Sequence, residues 1–195
     1  MRPTATQTTQ TTRWLALLAL LAGLLIGGCA PATGSAAPHP TATTAATPTA
    51  TPAMNPTEER LATDARQALA SLGGQVGGVS ASYDAKKAAA TITITVSGSL
   101  PNTDAKVAAA YAQVRIICYR AFRAVWASGV PLCETTALVL GPIQDEYANI
   151  ITDWYGVAVV EAATAQRTRW ASLSPDAAWS LYDQHMLRSS FVLFD

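Results

Sequence analysis

The tract at residues 29–55 limits what this chain can fold into more than any other feature. Prolines recur along it among threonine and alanine, and it has no apolar periodicity. Such a segment buries too little apolar surface to offset the entropy cost of ordering its backbone. We therefore expect an extended tether, reaching ~80 Å at ~3.1 Å per residue. Only residues 56–195 are left to form a core, which is enough for one domain.

A short apolar run precedes the tract. Residues 14–26 are apolar, and the residues before them carry Arg2 and Arg13 but no acidic side chain. As a helix the run would span ~20 Å, less than the ~30 Å hydrocarbon core of a bilayer. A positive flank, a short apolar core and small residues after it are typical of a secretory signal peptide, which we place at residues 1–28.

The segment Ile26-Gly27-Gly28-Cys29 resembles the lipobox of bacterial lipoproteins. In that family the cysteine sulfur receives a diacylglyceryl group, and the leader is cut just before the cysteine. The resemblance implies lipidation at Cys29, palmitate-type acyl chains and attachment to the extracytoplasmic face of a cell membrane. Two or more acyl chains give stable attachment, whereas one binds marginally. The alternative is an ordinary signal peptide with an incidental cysteine.

Residues 56–195 predict an α+β domain in the order αββαββαα. A helix over 56–72 begins with Asn55 as its cap and Pro56 in its first turn. Residues 91–96 alternate threonine with isoleucine or valine, the period of a strand with one buried face. The remaining predicted elements are a strand near 79–83, a long helix over 104–127, strands over 135–143 and 150–160, and helices over 162–171 and 174–188. Two hairpins joined by a helix predict four mostly antiparallel strands with helices packed on them.

The second hairpin and the following helix, which contains Trp170, are similar to patterns in uncharacterised exported bacterial lipoproteins. The resemblance does not point to any particular activity. Gly156 interrupts the fourth strand and predicts a bulge or kink there.

Cys118 and Cys133 remain as a pair once Cys29 is assigned to lipid. Disulfides persist in exported proteins, so the pair is a candidate bridge. A bridge needs Cα atoms within ~7 Å and therefore a sharp return of the chain after the long helix. Two free thiols are the alternative.

Two groups of residues are candidates for a binding surface. Arg115, Arg120 and Arg123 lie around the polar side of the long helix and suit an anionic ligand or a phospholipid surface, or else form a solvated face. Trp154 and Tyr155 suit stacking on sugar or peptide, unless they belong to the core.

The sequence contains no recognisable catalytic or metal-binding motif. His185, placed on the last predicted helix, has no partner at helical spacing, and we expect neither a metal nor another cofactor. The chain carries 13 basic and 13 acidic residues, which gives no reason to expect nucleic-acid binding. The sequence therefore favours a binding or scaffolding module of the bacterial cell envelope, with an envelope protein as partner. A hydrolase-like envelope enzyme using His185 as base and a ligand-binding lipoprotein are the alternatives.

Overall fold

The computed structural model describes residues 55–191, which form an α+β fold. The predicted signal peptide, Cys29 and the tether lie outside the described residues, as do residues 192–195. The strands are β1 Val76–Asp84, β2 Ala89–Val96, β3 Glu134–Gln144, β4 Ile150–Glu161 and β5 Gln184–Leu187. The helices are α1 Pro56–Leu69, α2 Asp104–Ala127, α3 Ala162–Arg167 and α4 Pro175–Trp179, with 3₁₀ segments at Ala70–Gln75 and Trp170–Ser172.

The five strands form one mixed sheet in the order β1-β2-β3-β4-β5. Neighbouring strands are antiparallel except β2 and β3, which are parallel. The predicted α+β class is confirmed and three of the four pairings are antiparallel, but the prediction of four strands is wrong, because Gln184–Leu187 adds a fifth. α2 is ~36 Å long and carries the chain back along the sheet, so β3 starts at the same end as β2.

α1 begins as its sequence predicts. Asn55 caps it with its side chain, Glu58 completes the capping box and Pro56 occupies the first turn. The α-helix ends at Leu69 and continues as the 3₁₀ segment, in which Gly73 adopts a φ of 58°. Glycine adopts this left-handed backbone without the penalty that a Cβ would bring.

The core lies between the sheet and the helices packed on one of its faces. The buried stripe of α2 includes Val114, Cys118, Phe122 and Val125, as its sequence pattern predicts. On β2 the inward residues Ile92 and Ile94 are fully buried, while the threonines between them remain half-exposed. The inward-facing residues of β2 and the apolar stripe of α2 thus pack into the same apolar layer.

The C-terminal region departs from its prediction. The helix expected over residues 174–188 stops at Trp179, and Gln184–Leu187 instead pairs with β4 as an edge strand. The helix expected over 162–171 likewise ends at Arg167. Gln184, Met186 and Leu187 are good helix formers, but the free edge of β4 at Gly156–Val159 gives their backbone groups another set of partners.

The predicted irregularity at Gly156 is confirmed. The register between β3 and β4 shifts there, since Val139 pairs with Gly156 and Leu140 with Trp154. Tyr155 is thereby the extra residue of a β-bulge. Within residues 55–191, none of the helices combines the length and apolar character needed to cross a bilayer.

Candidate functional site

The three candidate arginines of α2 have three different environments. Arg115 pairs with Asp176 at 2.9 Å between Nη1 and Oδ1, and Arg120 donates to the Ser71 hydroxyl. Arg123 is exposed and has no hydrogen-bond or ion-pair partner among residues 55–191. Of the three guanidinium groups, that of Arg123 is therefore the one open to a ligand.

Trp154 and Tyr155 differ in burial and in partners, and they do not form one exposed stacking surface. Tyr155 is 3% exposed, and its hydroxyl donates to the Pro142 carbonyl at 2.6 Å. Burial raises the pKa of Tyr155 to about 12. Trp154 is half-buried beneath Arg188, whose guanidinium carbon lies 5.5 Å from the ring centroid and whose Nη1 pairs with Asp153.

Cys118 and Cys133 are both free thiols in this structure. Cys118 is fully buried on α2, about 14 Å before the helix ends, and burial raises the pKa of its thiol. Cys133 is exposed at the start of β3, where its backbone bonds to Ala88 and Ala162. These backbone bonds fix Cys133 at the sheet rather than letting the chain fold back onto α2.

His185 lies on β5, not on a helix as predicted. It is exposed, and its ring contacts Trp179 with 5.1 Å between centroids. Among residues 55–191, no side-chain hydrogen bond links the imidazole to a carboxylate or hydroxyl. In the same part of the chain, no group of three or more histidine, cysteine, aspartate or glutamate side chains could hold a metal ion.

A cavity of about 340 Å³ lies between the last turns of α2 on one side and α3 with the 3₁₀ segment after it on the other. Arg123, Trp126, Gln166 and Trp170 line it, together with the small apolar side chains of Ala127, Ala165 and Ala171. We call it the tryptophan cavity. Its volume falls within the range of small-molecule sites in proteins.

The two tryptophans are placed by different parts of the chain. Trp126 follows Arg123 by three residues on α2, and residues at this spacing lie on the same face of a helix. Trp170 begins the 3₁₀ segment, and its carbonyl accepts a 2.5 Å hydrogen bond from the Tyr119 hydroxyl. Its ring also packs against Tyr119 and Phe122, at 6.3 and 6.5 Å between centroids. The wall formed by Trp170 is thus fixed to the core by both backbone and side chain.

The polar groups of the cavity are mostly donors. The indole N–H of Trp126 is buried and has no hydrogen-bond partner among the described residues. Arg123 adds an unpaired cation, and no acidic side chain is in the lining. Because the Trp126 Nε1 atom is closed off from solvent, a ligand that brings acceptor oxygens would meet the Arg123 guanidinium and not this N–H.

Two other concave regions are less suited to hold a ligand. A groove of about 600 Å³ beside α3 is lined by Arg167, Arg169 and Leu181 among others, but it has no aromatic wall. Arg167 there already donates to the Ala163 carbonyl at 3.0 Å. A cavity of about 200 Å³ near the start of α2 includes Lys106, which donates to the Asn102 side chain at 3.1 Å.

The sequence identified only part of the tryptophan cavity. Arg123 was a candidate, and the i, i+3 spacing to Trp126 could have added the second residue from the same helix. Trp170 and Gln166 come from a segment 40 or more residues later, and no local pattern connects them with α2. No protein-family model, curated protein or solved structure matches this chain.

Proposed function

We propose that this protein is a lipid-anchored binding module of the bacterial cell envelope, held off the membrane by the tether and carrying its ligand site in the tryptophan cavity. The observation that carries the binding role is the unpaired Arg123 beside two tryptophans in one cavity. The proposed location in the cell envelope rests on the leader and on the lipobox-like segment ending at Cys29.

The chemistry of the lining favours binding over catalysis. Its polar groups are a guanidinium, an indole N–H and an amide. A general base or nucleophile at neutral pH is usually a histidine, carboxylate, cysteine or activated hydroxyl, and the lining has none of these. The envelope hydrolase with His185 as base remains the second candidate, because His185 is exposed and accessible to a substrate.

Membrane fractionation tests the anchor. Replacing Cys29 by Ala removes the sulfur that would carry the lipid, so we expect the variant to leave the membrane fraction while the wild type stays. Cys133→Ala is the matched control, since it removes an exposed thiol from the domain and leaves Cys29 in place. Equal membrane retention of all three proteins would contradict the proposal of a lipid anchor.

Co-purification from membranes tests the binding role. Wild type, Arg123→Gln, Trp170→Leu and Lys106→Gln would be isolated, and the bound small molecules and proteins identified by mass spectrometry. We expect at least one species to be retained by the wild type and by Lys106→Gln but lost from the two cavity variants. If all four proteins carry the same species in the same amounts, the tryptophan cavity is not the binding site.

A further inference from the structure

Building on the proposed binding role, we propose that the tryptophan cavity takes an amphiphilic carboxylate, a ligand of about a dozen heavy atoms in all with one anionic head on an apolar body. The cavity offers donors at one part of its surface and apolar walls elsewhere, and each part selects a different portion of the ligand.

The cationic side of the cavity favours an anionic head on the ligand. Arg123 is exposed and has no partner among residues 55–191, whereas the Trp126 N–H is closed off from solvent and therefore from a ligand in the cavity. A guanidinium presents parallel N–H groups that match the two oxygens of a carboxylate. Because the lining contains no acidic side chain, no internal anion competes for Arg123 inside the cavity.

The apolar walls of the cavity favour an apolar body on the ligand. The rings of Trp126 and Trp170 and the methyl groups of Ala127, Ala165 and Ala171 present apolar surface. The volume of about 340 Å³ holds roughly eleven non-hydrogen atoms at ~30 Å³ each. A phenyl ring on a short carbon chain therefore fits better than a small acid such as acetate, which would leave the walls unfilled.

Calorimetry with 4-phenylbutyrate tests this proposal. The full chain would be held in lipid nanodiscs, with empty nanodiscs as the blank. We expect 4-phenylbutyrate to bind at least about tenfold more tightly than 4-phenylbutanol or acetate, because each of them lacks the head or the body. 4-Phenylbutylammonium should bind most weakly, since its charge repels Arg123.

Two variants test which groups of the cavity contact the carboxylate head of the ligand. Arg123→Gln should weaken 4-phenylbutyrate binding about tenfold and leave 4-phenylbutanol binding unchanged. Trp126→Phe keeps an aromatic wall and removes an N–H that the cavity does not expose, so it should weaken binding less than Arg123→Gln does. Lys106→Gln changes the charge of the same helix about 26 Å away and should have no effect.

Nuclear magnetic resonance of the tryptophan indole groups gives an independent readout. The Nε1–H signal of Trp126, identified by its absence in Trp126→Phe, should shift on adding 4-phenylbutyrate, because the phenyl ring of the ligand would lie close to the indole. Equal affinity for the acid and the alcohol, or equal affinity of wild type and Arg123→Gln for the acid, would overturn the proposal. So would the absence of any binding heat or indole shift.

The outcome is separable from that of the proposed function. If 4-phenylbutyrate fails to bind but co-purifying species still depend on Arg123 and Trp170, the cavity binds a ligand of another class. If 4-phenylbutyrate binds with the expected dependence on Arg123 while no cavity-dependent species co-purifies, the ligand chemistry stands and the envelope role fails.

Discussion

Glu58 of α1 accepts a hydrogen bond from the backbone N–H of Tyr83 on the outer edge of β1, at 2.9 Å to Oε1. Its second oxygen, Oε2, accepts from the Asn55 N–H at 3.3 Å and closes the capping box of α1. Two turns further along, Arg66 donates to the Val79 carbonyl on the same edge at 3.0 Å. α1 therefore occupies polar groups of an edge strand that would otherwise be open to pairing with another chain.

Replacing Glu58 by Ala should lower the free energy of unfolding by about 1–2 kcal/mol, because it leaves two backbone N–H groups without their acceptor. Glu59→Ala is the matched control and should cost under about 0.5 kcal/mol, since Glu59 is exposed. Urea denaturation measures both values. Equal losses for the two variants would contradict a special role for Glu58.

The pair formed by Arg188 and Asp153 should contribute more than a surface ion pair. Its Nη1 and Oδ2 atoms are 2.8 Å apart, and the Arg188 side chain is only 10% exposed. Arg188→Met should cost about 2 kcal/mol, because it leaves Asp153 without its cation and Trp154 without the guanidinium over its ring. Lys87→Met removes a pair in which the lysine is 79% exposed, and should cost under about 0.5 kcal/mol by the same urea measurement.

Gly141 should not tolerate a side chain. A Cβ there would lie 2.5 Å from Cζ of the buried Tyr155 ring, which has little room to move. Gly141→Ala should therefore lower the free energy of unfolding by about 1–3 kcal/mol, seen as a lower melting temperature. Gly78→Ala, on β1, meets no atom within 4 Å and should leave the melting temperature nearly unchanged.

The two thiols of the domain should differ sharply in reactivity. In a Cys29→Ala background, Ellman's reagent should label Cys133 in the native protein and reach Cys118 only after denaturation. Adding Cys133→Ser should abolish native labelling, whereas Cys118→Ser should leave it intact. If neither cysteine of the Cys29→Ala protein reacts even after denaturation without reductant, the two sulfurs are bridged in solution.

Alkaline pH should destabilise the fold. Burial raises the pKa of Tyr155 from 10.0 to about 12, and it also raises the pKa values of Tyr182 and Cys118. The native state then holds these protons more tightly than the unfolded chain does, so the stability is present below the unfolded pKa values and is lost as pH rises past them.

The free energy of unfolding should thus begin to decline at about pH 8, where the Cys118 thiol of the unfolded chain, with its ordinary pKa of 9.0, starts to ionise, and should continue to fall through pH 12. Urea titrations across this range measure the slope. Tyr155→Phe cannot ionise and should decline less steeply between pH 10 and 12, even though it loses the hydrogen bond to Pro142. Identical slopes would mean that Tyr155 does not control the alkaline transition.

Sequence alone located the elements whose signals are local. The capping residues Asn55 and Pro56 fixed where α1 begins, and the alternation along 91–96 gave both β2 and its buried face. The apolar stripe of α2 predicted the centre of the core for the same reason, because the side-chain period of a helix is set by its backbone. The leader and Cys29 remain predictions of this local kind.

Tertiary structure decided the rest. Whether Gln184–Leu187 became a helix or a strand depended on the free edge of β4, and the parallel pairing of β2 with β3 depended on the path of α2. The tryptophan cavity is non-local in the same way. Arg123 and Trp126 share a helix face, but Trp170 reaches them only because the chain after α3 returns to pack on Tyr119 and Phe122. Local backbone preferences set the elements, whereas contacts between distant segments chose their partners and built the site.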